Sequence, residues 1–173
     1  VQIDRLDWMK GDLSGFSLRH PYVLIVPGCA PDRPEKRWPA DKFGRIAEMV
    51  LALGFQPVLI GTKDDVDATA VIAKACPEAL DLTGQTNLNQ IATLGRGAAG
   101  AIGNDTGPMH IIGATTCPSL VLFSQHSDPV LHAPKGDHVN VIQRDELEDL
   151  SSEDVIAAFE PREMFSKQPG VVH

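Results

Sequence analysis

Four short apolar runs are the feature that most restricts how this chain can fold. They cover Tyr22–Val26, 57–61, 98–102 and Ser119–Phe123. Each run is continuous rather than alternating, which is typical of strands buried on both faces of a sheet. Segments with a helical spacing of apolar residues separate the runs. The sequence therefore predicts an α/β fold, in which a parallel sheet is covered by helices on both faces.

Capping residues and periodicity predict the remaining elements. Pro39 suits a first helical position and Gly54 suits a helix end, so these two residues bound the first helix. In a second helix at 64–75, we expect Val66, Ala70 and Ala73 to face the core. The other predicted elements are helices at 87–96 and 151–159, a helix starting near 109, and short strands at 79–82 and 139–142.

The composition restricts the class of partner. The 173 residues carry a formal net charge of −8, which argues against a broad nucleic-acid-binding surface. None of the apolar runs is long enough to span a bilayer. Cys29, Cys76 and Cys117 are scattered and have neither metal-site spacing nor a disulfide framework. The sequence therefore predicts neither a metal site nor a membrane span.

The character of the sequence also changes along the chain. The chain does not begin with Met, and residues 1–20 are polar and irregular, interrupted by Gly11, Ser14 and Gly15. We expect residues 1–21 to be a linker from a missing N-terminal domain. Residues 22–160 are expected to form one folded domain, and 161–173 a C-terminal tail.

Residues 103–110 (GNDTGPMH) are the first candidate binding segment. A strand that turns through small and hydroxyl residues into a helix presents free backbone N–H groups, which attract anions and phosphate above all. We expect Thr106 and Gly107 to face the phosphates. His110 lies one turn further on and either contacts them or is structural. Asp105 either organises the turn or contacts a sugar directly.

The loop after the first strand supplies complementary charge. Gly28 permits a close main-chain approach, and Lys36 and Arg37 are cations. Because the carboxyl ends of parallel strands meet at one edge of a sheet, this loop and the 103–110 turn can hold a pyrophosphate between them. The alternative is a solvated Lys–Arg pair beside a structural tryptophan.

An acidic pair, Asp64 and Asp65, follows the second strand. Other nucleotide-binding sheets place an acidic residue here to accept hydrogen bonds from ribose hydroxyls. A helix-capping role is the alternative, and one of the two residues is expected to take it.

The turn after the third strand is the candidate base pocket. Thr83, Gly84 and Thr86 line it, with Leu88 behind, or they form an ordinary capping turn. The sequence contains no GxGxxG, no Walker A motif and no nucleophile elbow, which disfavours a dehydrogenase or a P-loop enzyme.

Together these loops resemble the C-terminal half of glycosyltransferase family 9, typified by the bacterial heptosyltransferases of the lipopolysaccharide inner core. The matching segments keep their order and spacing from about residue 22 to residue 134. They are 27–28 (PG), 36–39 (KRWP), 59–61 (LIG), 82–88 (LTGQTNL) and 104–110 (NDTGPMH). The KRWP and NDTGPMH segments are specific in combination.

The resemblance implies a role for each site residue. Asp65 would meet the ribose, and Asp105 would lie by the sugar or the phosphates, as the one candidate catalytic residue in this chain. The pyrophosphate would be surrounded by Lys36, Thr106, Gly107 and His110.

The resemblance also implies a GT-B architecture, in which this Rossmann-like half binds a nucleotide sugar, usually ADP-heptose. The missing N-terminal domain would bind a lipid-linked saccharide acceptor and carry the catalytic base. Transfer would invert the anomeric centre without a tightly bound metal or cofactor, and this fragment alone would be inactive. We expect a cytoplasmic protein, peripheral at the inner membrane.

One segment departs from the family pattern. After Phe123, residues 124–129 (SQHSDP) replace the Gly-Pro or Gly-Thr that often follows. This favours keeping a second hypothesis, a non-catalytic nucleotide-binding or interaction module with the same fold. A nucleotide-sugar epimerase of this fold fits the motifs less well.

Overall fold

The computed structural model describes residues 5–28, 37–125, 128–129 and 133–162. Its strands are β1 (Tyr22–Val26), β2 (Gln56–Leu59), β3 (Leu80–Asp81), β4 (Gly100–Asn104), β5 (Ser119–Phe123) and β6 (Val139–Gln143). Its helices are α1 (Ala40–Ala52), α2 (Val66–Ala75), α3 (Leu88–Gly97), α4 (Gly107–Ala114) and α5 (Ser152–Ala158). Short 3₁₀ turns cover Lys63–Asp65 and Leu147–Asp149.

The described strands form one parallel sheet in the order β3-β2-β1-β4-β5-β6. The predicted Rossmann-like α/β fold is confirmed. From β1 the chain proceeds outward through β2 and β3, then returns to place β4 on the other side of β1. In open α/β sheets, ligands bind outside the carboxyl ends of the strands where the order reverses in this way. The loops that follow β1 and β4 therefore flank the expected binding position.

Strand β1 shows why its sequence is continuously apolar. All five of its residues are buried. Val23 and Ile25 pack in one cluster with residues of α1, α2 and α5, whereas Leu24 and Val26 pack in another with residues of α3 and α4. Successive side chains of a strand point to opposite faces, so a strand covered on both sides needs an apolar residue at every position.

Helix α2 turns a partly different face to the core from the predicted one, since Ala73 packs against the core as expected but the other two residues do not. Val66 is 52% exposed and Ala70 is also exposed, so the prediction that they face inward is wrong. Ala68, Thr69 and Ile72 are the buried residues. The apolar pattern misled because small and β-branched residues occupy nearly the whole helix. Thr69 can be buried because its hydroxyl donates to the carbonyl oxygens of Asp65 and Val66, each at 3.2 Å.

Strand β4 begins two residues later than predicted. Ala98 and Ala99 are fully buried, but they belong to the connection from α3, and Ala99 N donates to Tyr22 O at 2.8 Å. The strand ends at Asn104, two residues beyond its predicted end, and the polar side chain of Asn104 is fully buried at the carboxyl edge.

The segment before β1 packs along α3. Met9 is buried, and Leu13, Phe16 and Leu18 pack against the cluster formed with α3 and α4. Arg96 of α3 donates to the carbonyl oxygens of Leu6, at 3.1 Å, and Met9. That residues 1–21 link this domain to another one remains a prediction.

The start of the predicted tail is anchored at the edge of the sheet where β4 and β5 begin. The Arg162 guanidinium donates to Arg96 O and Ala98 O, both at 3.1 Å, and to Thr116 O at 3.3 Å. It thereby satisfies carbonyl groups at the end of α3. Residues 163–173 lie outside the described part of the chain.

Candidate nucleotide-sugar site

The start of α4 forms the first part of the candidate site. Thr106 is the N-cap, and its Oγ1 accepts a hydrogen bond from Met109 N at 3.4 Å. Helix α4 thus begins two residues before the start predicted near 109. A Cβ added to Gly107 would meet no atom of the described residues within 4 Å, so these residues leave open space beside the first residue of α4. The N-terminal N–H groups of a helix attract anions, and this turn offers an anion room to approach.

Asp105 and His110 lie side by side at this turn. His110 Nε2 is 3.7 Å from Asp105 Oδ1, and the Asp105 side chain is 8% exposed against 46% for His110. Since Thr106 provides the cap, Asp105 does not cap α4. The buried carboxylate is placed to orient the imidazole, while the exposed part of the ring faces solvent at the edge of the sheet. Both hypotheses for Asp105, organiser of the turn and sugar contact, fit this position.

Gly28, at the end of β1, packs directly on Asp65. A Cβ at Gly28 would collide with the Asp65 carboxylate, so no larger residue fits there without a shift. Asp65 is 7% exposed, and its Oδ2 accepts from Thr62 N at 2.8 Å, which completes a capping box with Thr62. Of the acidic pair, Asp65 thus takes the capping role and Asp64 is exposed beside it. The ribose contact of Asp65 remains a prediction.

The 83–86 turn adjoins the loop after β2. Gly84 has φ +74° and its N–H donates to Gly61 O at 2.8 Å, a conformation that favours glycine. Thr83 donates to Asp81 Oδ1 through both its N–H and its hydroxyl. The cap of α3 is Asn87, not a residue of this turn. Thr86 is half-buried there.

Two exposed apolar side chains lie at the same edge as this turn. Leu88 is 60% exposed at the first residue of α3, and Val66 is the first residue of α2. Leu88 was expected to lie behind a base pocket. An exposed apolar side chain beside half-buried Thr86 can contact the flat face of a base. The base pocket itself remains a prediction.

Arg37 and Lys36 differ in what the structure shows. The Nε of Arg37 is buried and has no hydrogen-bond partner among the residues that the structure describes. A buried, unsatisfied guanidinium N–H is costly, and an anionic ligand is the partner that best satisfies it. Lys36 lies outside the described residues, as do Cys29 and the part of the 124–134 loop at 126–127 and 130–132.

Asn104 and Trp38 are two residues of this site whose roles the sequence did not reveal. Asn104 Oδ1 accepts from Trp38 N at 3.1 Å, and its Nδ2 donates to Pro27 O at 2.8 Å. The Trp38 indole is fully buried and donates from Nε1 to Leu150 O at 3.0 Å. A polar residue that directly follows an apolar run, at the carboxyl edge of the sheet, was the available clue for Asn104.

The described part of the chain contains neither a metal-binding cluster nor a membrane-spanning helix. No group of three or more His, Cys, Asp and Glu side chains there could hold a metal ion. None of its helices combines the length and the apolar character needed to cross a bilayer.

The family model for glycosyltransferase family 9 (heptosyltransferase) matches residues 4–157. The chain belongs to this family. The resemblance of its loops to the family is thus confirmed. The sequence is 33% identical over 128 residues to lipooligosaccharide heptosyltransferase 2 of Haemophilus influenzae, covering 71% of this chain and 36% of that protein. It is 30% identical over 133 residues to lipopolysaccharide heptosyltransferase 2 of Escherichia coli, covering 74% of this chain and 38% of that protein.

Solved family 9 structures share the fold. The structure described as E. coli ADP-heptose lps heptosyltransferase II matches with a TM-score of 0.75 and 25% identity, over 91% of this chain and 50% of that one. A family 9 glycosyl transferase from Veillonella parvula matches with a TM-score of 0.74 and 25% identity, over 84% of this chain and 47% of that one. The chain therefore spans about half the length of these structures, and less than half of the two curated relatives above.

Proposed function

We propose that this chain is the donor-binding part of an inverting glycosyltransferase. The enzyme transfers heptose, or a related sugar, from a nucleotide sugar to a lipopolysaccharide-type acceptor. Family membership and the heptosyltransferase names of the relatives support the reaction class. The name of the structural relative that includes ADP-heptose favours that molecule as the donor.

One juxtaposition carries the proposal. The strand order reverses between β1 and β4. There the N-cap of α4, Thr106, follows Asn104 by two residues, and Asn104 is hydrogen bonded to Trp38, the residue after Arg37. Helix N–H groups and a guanidinium with an unsatisfied Nε thus come to one edge of the sheet. Both groups favour a diphosphate, which can accept several charge-assisted hydrogen bonds at once.

Each site residue receives a role in the proposal. Asp65 contacts the ribose, and Asp105 orients the turn or contacts the sugar. The base lies against Thr83, Gly84 and Thr86. The diphosphate is held by the main chain at Gly28 and by Lys36, Arg37, Thr106, Gly107 and His110.

The residues of this chain contribute to transfer by stabilising the leaving group. An acceptor hydroxyl oxygen attacks the anomeric carbon, its proton passes to a base, and the bond from that carbon to the phosphate oxygen breaks. The nucleoside diphosphate leaves with the bonding electron pair. The α4 N-terminus and Arg37 stabilise the negative charge that develops on the phosphate as this bond breaks. We place the base and the acceptor site in a part of the protein outside this chain.

The acceptor bears on where the protein works. A lipid-linked saccharide is held at a membrane, so we propose that the enzyme is cytoplasmic and meets its acceptor peripherally at the inner face.

Calorimetric titration of this chain with ADP, UDP and GDP tests the proposal. We expect saturable binding of ADP, and a roughly ten- to hundredfold loss in a Lys36→Ala/Thr106→Ala double variant, because charge-assisted hydrogen bonds contribute about 1.5–3 kcal/mol. Lys74→Ala is the matched control, since Lys74 is an exposed cation in the last turn of α2. Equal affinities of the double variant and the wild type would show that the site is misassigned. Preference for UDP or GDP would keep the reaction class but change the donor.

A transfer assay with the longer protein separates the two function hypotheses. Heptosyl transfer from ADP-heptose to a lipid-linked saccharide is the expected result. Nucleotide binding without transfer to any such acceptor would instead favour the non-catalytic binding module.

A further inference from the structure

Asn104 is the last residue of β4 and is fully buried. A buried side-chain amide is costly unless its groups are hydrogen bonded. Here the amide is satisfied by main chain from elsewhere in the sequence. Its oxygen accepts from Trp38 N, and its nitrogen donates to Pro27 O and, at 3.4 Å, to Gly28 O. Asn104 therefore ties the end of β1 to the segment that enters α1.

Two of the three partners of Asn104, Gly28 and Trp38, are themselves fixed by packing. Gly28 lies against the capping carboxylate of Asp65, as described above. The Trp38 ring contacts Phe43 edge-on, with ring centroids 4.8 Å apart, and its indole N–H is bonded to Leu150 O. A change at Asn104 is therefore transmitted to rigid neighbours rather than absorbed by exposed loops.

We propose that Asn104 is a positioning residue for the donor phosphates. It sets the distance between the α4 N-terminus, which follows it in sequence, and the main chain at Gly28 and Arg37. This inference rests on the proposed function, because it assumes that the diphosphate binds between these groups. Asn104 need not touch the ligand. It acts through the placement of Gly28 and Arg37. If these groups shift by much less than the length of a hydrogen bond, their binding to the phosphates is already weakened.

The chemistry of the amide explains why other residues would not serve. Asparagine accepts through Oδ1 and donates through Nδ2 at the same time. Aspartate would keep the acceptor for Trp38 N but would set a carboxylate against the carbonyl oxygens of Pro27 and Gly28. Alanine would lose both contacts and leave three main-chain groups without these partners. The two substitutions therefore separate the Trp38 side of the contact from the Pro27 side.

The experiment compares Asn104→Ala and Asn104→Asp with Ser119→Ala in a Trp8→Phe background. Ser119 is the matched control, because its buried hydroxyl donates to Cys117 O at 2.9 Å at the opposite edge of the sheet. The chain has two tryptophans and Trp8 is largely exposed, so Trp8→Phe leaves Trp38 as the sole tryptophan fluorophore. For each protein, we would measure the melting temperature, the ADP affinity and acrylamide quenching of Trp38.

Stability alone does not decide the outcome, since all three variants lose buried hydrogen bonds. We expect Asn104→Ala to weaken ADP binding about tenfold or more and to increase quenching of Trp38, because both are consequences of the lost contacts. Asn104→Asp should weaken ADP binding while changing Trp38 quenching less. Ser119→Ala should lower the melting temperature but leave the ADP affinity within about twofold.

Two results would count against the inference in different ways. If the wild type binds ADP and folded Asn104→Ala binds it equally well, Asn104 has no positioning role and the proposed function stands. If the Trp8→Phe parent and the wild type both fail to bind any nucleotide diphosphate, the proposed function fails, and the role of Asn104 with it.

Discussion

The imidazole of His110, in the first turn of α4, lies beside the carboxylate of Asp105, the residue before the N-cap of that helix, with Nε2 3.7 Å from Oδ1. If Asp105 serves the site by orienting His110, the two residues act as a unit. We expect Asp105→Asn and His110→Ala each to weaken ADP binding by roughly three- to tenfold, the range for one hydrogen bond of about 1 kcal/mol. The double variant should lose no more than the worse single variant.

Calorimetry on the two single variants and the double variant provides the measurement. Fully additive losses would show that Asp105 and His110 contribute independently. In that event, the sugar contact becomes the better hypothesis for Asp105, and its loss should appear with ADP-heptose rather than with ADP.

Replacement of Gly107 separates binding from folding. A Cβ at this position meets no atom of the described part of the chain within 4 Å, and alanine is the better helix former, so Gly107→Ala should leave stability unchanged or raise it by up to about 1 kcal/mol. The same methyl group would occupy the space assigned to the phosphates, so ADP affinity should fall. Thermal melting and titration of the same sample check both effects. A variant that is more stable and binds ADP normally would place the phosphates elsewhere.

Gly28→Ala should affect folding as well as binding. The added methyl group would collide with the Asp65 carboxylate and disturb the capping box of the Lys63–Asp65 turn, which leads into α2. We expect a loss of about 1–3 kcal/mol in the free energy of unfolding, measured by urea titration. Gly15→Ala is the control, since a Cβ there meets nothing within 4 Å. Equal stability of the two variants would show that the Gly28 contact is easily relaxed.

Burial of Cys117 predicts a loss of stability at alkaline pH. Burial raises the pKa of this thiol to about 12 from an ordinary value of 9.0. The folded chain therefore holds a proton that the unfolded chain releases, so this contribution to stability is complete below pH 9 and is lost as the pH rises toward 12. Burial also raises the pKa of the Tyr22 hydroxyl, which acts in the same direction above pH 10.

Urea titrations between pH 7 and pH 11 check this prediction. Cys117→Ala should show a shallower loss of stability above pH 9 than the wild type, even if it is less stable at pH 7. The same slope in both proteins would mean that Cys117 does not contribute to the alkaline transition.

The sequence predicted the elements whose bounds coincide with an apolar run and missed what depends on contacts between distant segments. The boundaries of β1 and β5 matched, whereas β2 and β4 are buried just as uniformly but each includes a buried amide, Gln56 or Asn104, that the apolar run does not cover. The inward face of α2 was wrong at Val66 and Ala70, because the apolar residues of this helix point in nearly every direction. The role of Asn104 depends on a strand more than seventy positions away in sequence, as its contact with Pro27 spans 77 residues. No local pattern encodes a contact of that kind.

The strand order also determines when the site can form during synthesis. The segments β1, α1, β2, α2 and β3 emerge from the ribosome first, but the edge at which the phosphates are proposed to bind needs β4 and the Asn104 contacts that close it against β1. A nascent chain that ends before β4 thus has no binding edge, however well its first strands pair. Nucleotide bound by this protein would therefore mark a sheet in which β4 is already paired with β1, and each bound molecule would oppose the separation of these two strands rather than the opening of a single loop.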